Sequence, residues 1–184
     1  MIYRTVRGVS ARARASLPAA GVLLASTGEP FSATAIALAV RQCGGSRVRV
    51  VTVARIHGSS FGLQHPGLMP SKSERDQAQA IVTNAIKALQ RSGVKADGEV
   101  VITRGAARAF ARAARGARDV RHVIVDDHRP GRLGRLFTAA AARTVRYRLG
   151  KIDVTAVSGG IVHDADGGHR QEPGGELDQL DRAV

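Results

Sequence analysis

Short apolar runs alternate with segments of helical periodicity along most of this chain. Five of these runs predict strands, because each is rich in Val, Ile, Leu or Ala and is bounded by Gly, Pro or polar residues: Gly21–Ser26, Arg47–Ala54, Glu99–Thr103, Arg121–Val125 and Ile152–Val157. The first run, and the second half of the second run, are close to continuously apolar and do not alternate. This pattern indicates strands covered on both faces, as in parallel sheets.

The segments between the runs predict four helices, at Ala33–Cys43, from Ser71–Ser73 to Gly93, at Ala106–Arg118 and at Leu133–Leu149. The second helix has the clearest signal. S-K-S-E and S-E-R-D form two overlapping capping boxes at its start. Its apolar residues then fall on one helical face: Ala78, Ile81, Val82, Ala85, Ile86 and Leu89.

Strands and helices that alternate with short turns predict an α/β fold with one doubly wound, parallel, five-stranded sheet between two helix layers. Such a fold places ligands at the carboxyl ends of the strands, here near the ends of strands one and four. The fifth strand would end the sheet, and this exposed edge favours pairing across a dimer.

The domain is expected to span residues 20–158, between two less patterned ends. Residues 1–19 are basic and are expected to form a disordered extension, although a processed targeting segment and a mis-assigned start are alternatives. Residues 159–184 are Gly-rich and acidic, show no periodicity and are expected to be a disordered tail.

The formal charge of +13 permits nucleic-acid or membrane-surface partners. The charge comes mainly from Arg in an Ala-rich chain, a bias that a GC-rich genome produces without selection for binding. Aromatic residues make up only 3% of the chain, too few for the stacking platforms of single-strand binders. No apolar run approaches the roughly eighteen residues that span a bilayer, so no membrane association is expected. The single cysteine excludes an internal disulfide.

The segment Arg121–Ala142 carries the most interesting chemistry. An apolar run is followed by two aspartates, a histidine and an arginine, and then by a helix start that contains Gly131 and Gly134. A loop between a strand and a helix N-terminus is where phosphates bind, because free backbone N–H groups point there. His57 and His65 have no acidic or cysteine neighbours, so no metal site is predicted. No nucleophile elbow or Walker A sequence is present, and no enzymatic activity is predicted.

Four passages in the right order give the chain a resemblance to the universal stress protein family over Gly21–Val157. V-L-L-A-S-T-G-E-P-F-S at 22–32 resembles the family's first strand and its V-D-G-S-x-x-S turn. The loop and capped helix at 55–91 stand where the family has its variable loop and second helix. V-V-I-T-R-G-A-A-R-A-F at 100–110 resembles the family's v-x-x-G-x-p-a-x-x-I passage. H-V-I-V-D-D-H-R-P-G-R-L-G-R-L-F at 122–137 is the most specific match.

The resemblance implies a small cytoplasmic α/β domain of the adenine nucleotide alpha hydrolase-like type, typically dimeric and often ATP-binding. Members that bind ATP carry G-x2-G-x9-G-[ST], which falls here on Asp126, Arg129, Ala139 and Ala140. All three glycines and the hydroxyl are therefore replaced, and a Cβ obstructs the close approach of backbone N–H groups to phosphate. Asp126 and Asp127 also bring negative charge to where a triphosphate would lie. In the first turn, Thr27 replaces the family's Asp.

The resemblance therefore implies a degenerate nucleotide site. Its candidate residues are Ser26, Thr27, Gly28, Val53, Asp126, His128, Arg129, Ala139 and Ala140. The expected function is that of a universal-stress-type regulatory protein with a weakened or lost ATP site and no cofactor, acting through homodimerisation and an unknown protein partner. The first alternative is a signalling protein that binds ATP or another nucleotide with altered specificity. The second is an Arg-rich nucleic-acid-binding protein, which the composition bias does not favour.

Overall fold

The computed structural model describes residues 20–55, 69–117, 119–127 and 132–164. These residues form six strands and four helices, in the order β1 Ala20–Ser26, α1 Ala33–Gln42, β2 Arg47–Arg55, α2 Lys72–Arg91, β3 Ala96–Thr103, α3 Ala106–Gly116, β4 His122–Asp127, α4 Arg132–Leu149, β5 Asp153–Ser158 and β6 Ile161–Asp164. The predicted basic extension, the loop around His57 and His65, and most of the acidic tail lie outside the described residues.

The strands form one sheet in the order β3-β2-β1-β4-β5-β6. The first five strands are parallel, and β6 pairs antiparallel with β5. The predicted α/β fold is therefore confirmed. The strand order reverses between β1 and β4, the position at which such sheets open a ligand crevice.

Alternate residues of the central strands pack against opposite helix layers. In β1, Val22 and Leu24 contact the cluster formed with α1 and α2, whereas Leu23 and Ala25 contact the cluster formed with α3 and α4. All four side chains are fully buried. A strand between two helix layers buries both of its faces, which explains why its sequence is continuously apolar.

The third strand begins at Ala96, three residues before the predicted start at Glu99. Ala96, Asp97 and Gly98 pair with β2 but carry little apolar signal. Gly98 is needed at this point, since a Cβ there would lie 2.6 Å from Val82 Cγ1 and 2.8 Å from the Val50 carbonyl oxygen. The missing side chain lets α2 lie close to the sheet.

The sheet has a sixth strand in a segment for which the sequence predicts no regular structure. Gly159 and Gly160 both have positive φ, of 59° and 80°, and join β5 to β6 in a two-residue hairpin. The prediction that β5 ends the sheet is therefore wrong, because β6 covers that edge. Two apolar residues, Ile161 and Val162, are too few for a periodicity signal. A Gly-Gly pair between apolar segments is nevertheless a recognised hairpin signal.

Candidate functional site

The predicted crevice lies where β1 and β4 run side by side at the carboxyl edge of the sheet. Strand β4 extends two residues beyond its predicted end at Val125, so that Asp126 and Asp127 belong to the strand and not to the following loop. Asp126 pairs in register with Ser26 of β1 and with Val157 of β5. Ser26 and Asp126, both predicted from the sequence, are thus neighbours at the switch point.

The turn after β1 is closed by its own serine. Ser26 Oγ accepts hydrogen bonds from the N–H groups of Glu29, at 3.1 Å, and Gly28, at 3.3 Å, and donates to the Glu29 carbonyl oxygen. Thr52 Oγ1 in turn donates to the Ser26 carbonyl oxygen at 3.4 Å. Ser26 and Thr52 are fully buried. The Ser26 hydroxyl therefore stabilises the turn, as serine side chains often do in short loops.

Gly28 brings the same turn against the end of β2. Its φ of +106° is a backbone conformation that side-chain-bearing residues rarely adopt. A Cβ at this position would also lie 2.9 Å from the Val53 carbonyl oxygen. Gly28 and Val53, predicted as site residues, are therefore in contact through their backbones, and no side chain fits between them.

Asp126 lies on the α1 side of the sheet. Its side chain is 1% exposed, and Oδ2 accepts a hydrogen bond from the Ser32 N–H at 2.6 Å. Ser32 is the N-cap of α1, and its Oγ accepts from the Ala35 N–H at 3.1 Å. The carboxylate thus lies at the positive end of the α1 dipole, where a negative charge is stabilised. The side chain expected to repel a triphosphate binds the chain's own backbone.

Two residues predicted from the G-x2-G-x9-G-[ST] motif do not lie at the carboxyl edge of the sheet. Ala139 and Ala140 lie well beyond the first turn of α4, where backbone N–H groups bond to carbonyls one turn earlier. Ala140 is exposed. Donors for a phosphate would therefore come from the first turn of α4, which begins at Arg132. His128 and Arg129 lie outside the described residues. Thr27 is buried next to Gly28.

Three further polar residues at this edge were not among the predicted site residues: Ser32, Thr52 and Ser158. Ser158 is the last residue of β5 and is 2% exposed, and within the described part of the chain its hydroxyl has no hydrogen-bond partner. Ser158 ends an apolar run, Ser32 precedes α1, and Thr52 lies inside β2, three residues before its end. Their common signal is a small hydroxyl residue at or near a strand's carboxyl end, or at a helix start.

A groove of about 310 Å³ lies between α1 and α2 and is also lined by Pro30 and Phe31 of the β1–α1 turn. None of the predicted site residues lines it. Its walls are mostly apolar, with Gln77 and Asn84 as the amide-bearing members. Over the residues described, no group of three or more His, Cys, Asp or Glu side chains is placed to hold a metal ion.

No protein-family model matches this chain. No curated protein matches it either. Several solved structures do match this chain. The universal stress protein from Archaeoglobus fulgidus in complex with dAMP has a TM-score of 0.54 at 14% identity, covering 76% of this chain and 98% of that one. A second structure of universal stress protein from Archaeoglobus fulgidus has a TM-score of 0.53 at 13% identity, covering 75% of this chain and 93% of that chain.

At this level of identity the likeness establishes the fold alone. The chain has the α/β fold of universal stress proteins, with a mostly parallel six-stranded sheet and helices on both faces. Among the described residues, none of the helices has the length and apolar character needed to span a membrane.

Proposed function

We propose that this chain is a universal-stress-type regulatory protein whose ATP site is weakened or lost. In this proposal it acts in the cytoplasm through homodimerisation and protein partners, and it catalyses no reaction. The fold supports the class of protein. The hydrogen bonds within the crevice support the loss of ligand binding.

The observation that carries the proposal is that most of the buried polar groups described at the crevice bind within the chain, with the Ser158 hydroxyl as an exception. Asp126 accepts from Ser32, Ser26 closes its own turn, and Thr52 donates to Ser26. A ligand that displaced these hydrogen bonds would have to form a new one to each group, because a buried polar group left unpaired costs about 1–3 kcal/mol. Gly28 lies against the end of β2, where an added Cβ would come within 2.9 Å of the Val53 carbonyl oxygen.

A thermal-shift titration with ATP and Mg²⁺ tests the proposal. A ligand at about 100 times its Kd stabilises a protein by about 2.7 kcal/mol. For a chain of this size, such a gain raises Tm by roughly 5–10 °C. We expect no saturable rise beyond that produced by inorganic tripolyphosphate, which carries similar charge without base or ribose. A saturable rise specific to ATP would contradict the loss of the site.

The alternative is a signalling protein that binds a nucleotide other than ATP. Two observations favour it: the strand order keeps the crevice at the β1/β4 switch point, and the Archaeoglobus protein of the same fold was solved with dAMP. The protein purified under native conditions would then release a nucleotide on denaturation. Mass spectrometry of the extract, with a screen of mono-, di- and cyclic nucleotides, distinguishes the two. An empty extract and a flat screen would leave the regulatory proposal standing.

A further inference from the structure

The two helix layers of this protein differ sharply in charge. Helices α3 and α4 contain eight arginines, three in α3 and five in α4, and neither helix contains an aspartate or glutamate. On the opposite side of the sheet, α2 mixes Lys72, Arg75, Lys87 and Arg91 with Glu74 and Asp76. A bias in genome composition raises the number of arginines everywhere, but it does not remove acids from one layer only.

On α3 the arginines are directed away from the core. Phe110, Ala111, Ala113 and Ala114 are buried against the sheet, whereas Arg108, Arg112 and Arg115 are exposed. Their spacing of four and three residues places them on one side of the helix. Within the described residues, Arg108 and Arg112 form no ion pair. In the described part of the chain, their positive charges are therefore not paired with an acid.

Helix α4 continues the same surface. Arg143, Tyr147 and Arg148 are exposed, and Tyr147 is 90% accessible. Arg115 of α3 donates a hydrogen bond to the Arg148 carbonyl oxygen at 2.8 Å, which ties the carboxyl ends of the two helices together. We call the exposed residues Arg108, Arg112, Arg115, Arg143 and Arg148 the arginine face.

We propose that the arginine face binds nucleic acid through its phosphate backbone. Guanidinium groups donate paired hydrogen bonds that match phosphate oxygens, and here they are carried by two packed helices that contain no acid. Tyr147 is the one exposed aromatic on the described part of this surface, so bases have little to stack on. The face therefore fits a duplex, contacted without regard to sequence. This inference does not depend on the state of the nucleotide crevice.

Fluorescence anisotropy with a short labelled DNA duplex, measured over a series of salt concentrations, tests the inference on the full chain. The variant Arg108→Gln/Arg112→Gln removes two charges from the arginine face. Since each phosphate contact contributes about 0.9 to the slope of log K against log salt, the slope should fall by about 2. The affinity at about 0.1 M salt should drop at least tenfold.

A matched control is Lys87→Gln/Arg91→Gln. It removes the same charge at the same spacing from exposed positions on α2. This variant should keep the wild-type slope, and both variants should keep the wild-type Tm. A labelled single strand of equal length should bind more weakly than the duplex.

Four results would overturn the inference, the last of them its assignment to a duplex. The first is absence of duplex binding at low salt, and the second is an equal loss in the two variants, which would show a response to net charge alone. The third is binding that emerges only after removal of residues 165–184, which would assign the face to that acidic segment. Tighter binding of the single strand would overturn the duplex assignment.

Discussion

At the scale of single residues, the crevice edge is held together by side chains that bond to backbone groups. Ser26, Thr52 and Asp126 are buried, and each has a backbone partner between Ser26 and Ser32. A buried polar group without such a partner costs more than a hydrogen bond returns. These residues therefore fix the turn that begins α1, whatever else they do.

Replacing Asp126 by alanine is expected to lower the free energy of unfolding by about 1–3 kcal/mol, because the buried Ser32 N–H loses its acceptor. Asn keeps an acceptor oxygen of the same size and should cost less. Urea denaturation of the two variants measures the difference. If Ala proves as stable as Asp, the hydrogen bond to Ser32 does not hold the turn.

Gly28→Ala combines two penalties, a φ of +106° and a Cβ placed 2.9 Å from the Val53 carbonyl oxygen. Gly93→Ala is the matched control, since Gly93 also has positive φ, of +77°, but has open space around it. The control should cost about 1 kcal/mol. Gly28→Ala should cost about 1–3 kcal/mol more. Equal losses in thermal denaturation would show that the contact with Val53 yields without cost.

At the scale of elements, the start of α2 shows which of two possible N-caps the helix uses. The sequence offers two overlapping capping boxes, and the structure uses the first. Ser71 Oγ accepts from the Glu74 N–H at 3.2 Å, and the Glu74 carboxylate accepts from the Ser71 N–H at 2.7 Å. Ser73 lies inside the helix and is exposed. The helix therefore begins at Lys72.

Ser71→Ala should cost about 1 kcal/mol, the usual value for a lost N-cap. Ser73→Ala should be neutral or slightly stabilising, because alanine has the higher helix propensity. Thermal denaturation of the two single variants separates the two caps that the sequence offers. A larger loss in the Ser73 variant would place the helix start two residues later than in the structure.

Most helices and the strands β1, β2, β4 and β5 could be predicted from the sequence, because their signals are local periodicities. The two elements that the sequence predicted wrongly, the start of β3 and the whole of β6, lack such signals. Strand β3 begins with Ala96, Asp97 and Gly98, and β6 has only two apolar residues. Both are stabilised by pairing with a neighbouring strand, and pairing leaves no mark on the sequence of a short segment.

At the scale of the whole molecule, β6 moves the edge of the sheet. The homodimer was expected to form through β5, but β5 is paired on both sides, by β4 and β6. An edge strand presents backbone N–H and C=O groups that pair with another chain. If the protein dimerises through this side of the sheet, β6 forms the contact, with Ile161 48% exposed on it.

On this basis the wild-type protein should sediment as a dimer, and Ile161→Lys should sediment as a monomer, because a charge on an edge strand blocks pairing. Ile161→Thr keeps β propensity without adding charge, so this control should remain dimeric. Analytical ultracentrifugation of the three proteins gives the answer. A monomeric wild type, or a dimeric lysine variant, would remove β6 from the interface.

The sequence by itself determined the order of the main elements and the burial of the sheet on both faces, since these follow from periodicity and from the rules of parallel sheets. Only the tertiary structure decided which way Asp126 points. Its partner, Ser32, is 94 residues away along the chain, and no local pattern encodes such a contact. The tertiary structure likewise gathered the arginines of α3 and α4 on one layer. Packing of distant segments, not spacing along the chain, decides what a side chain meets.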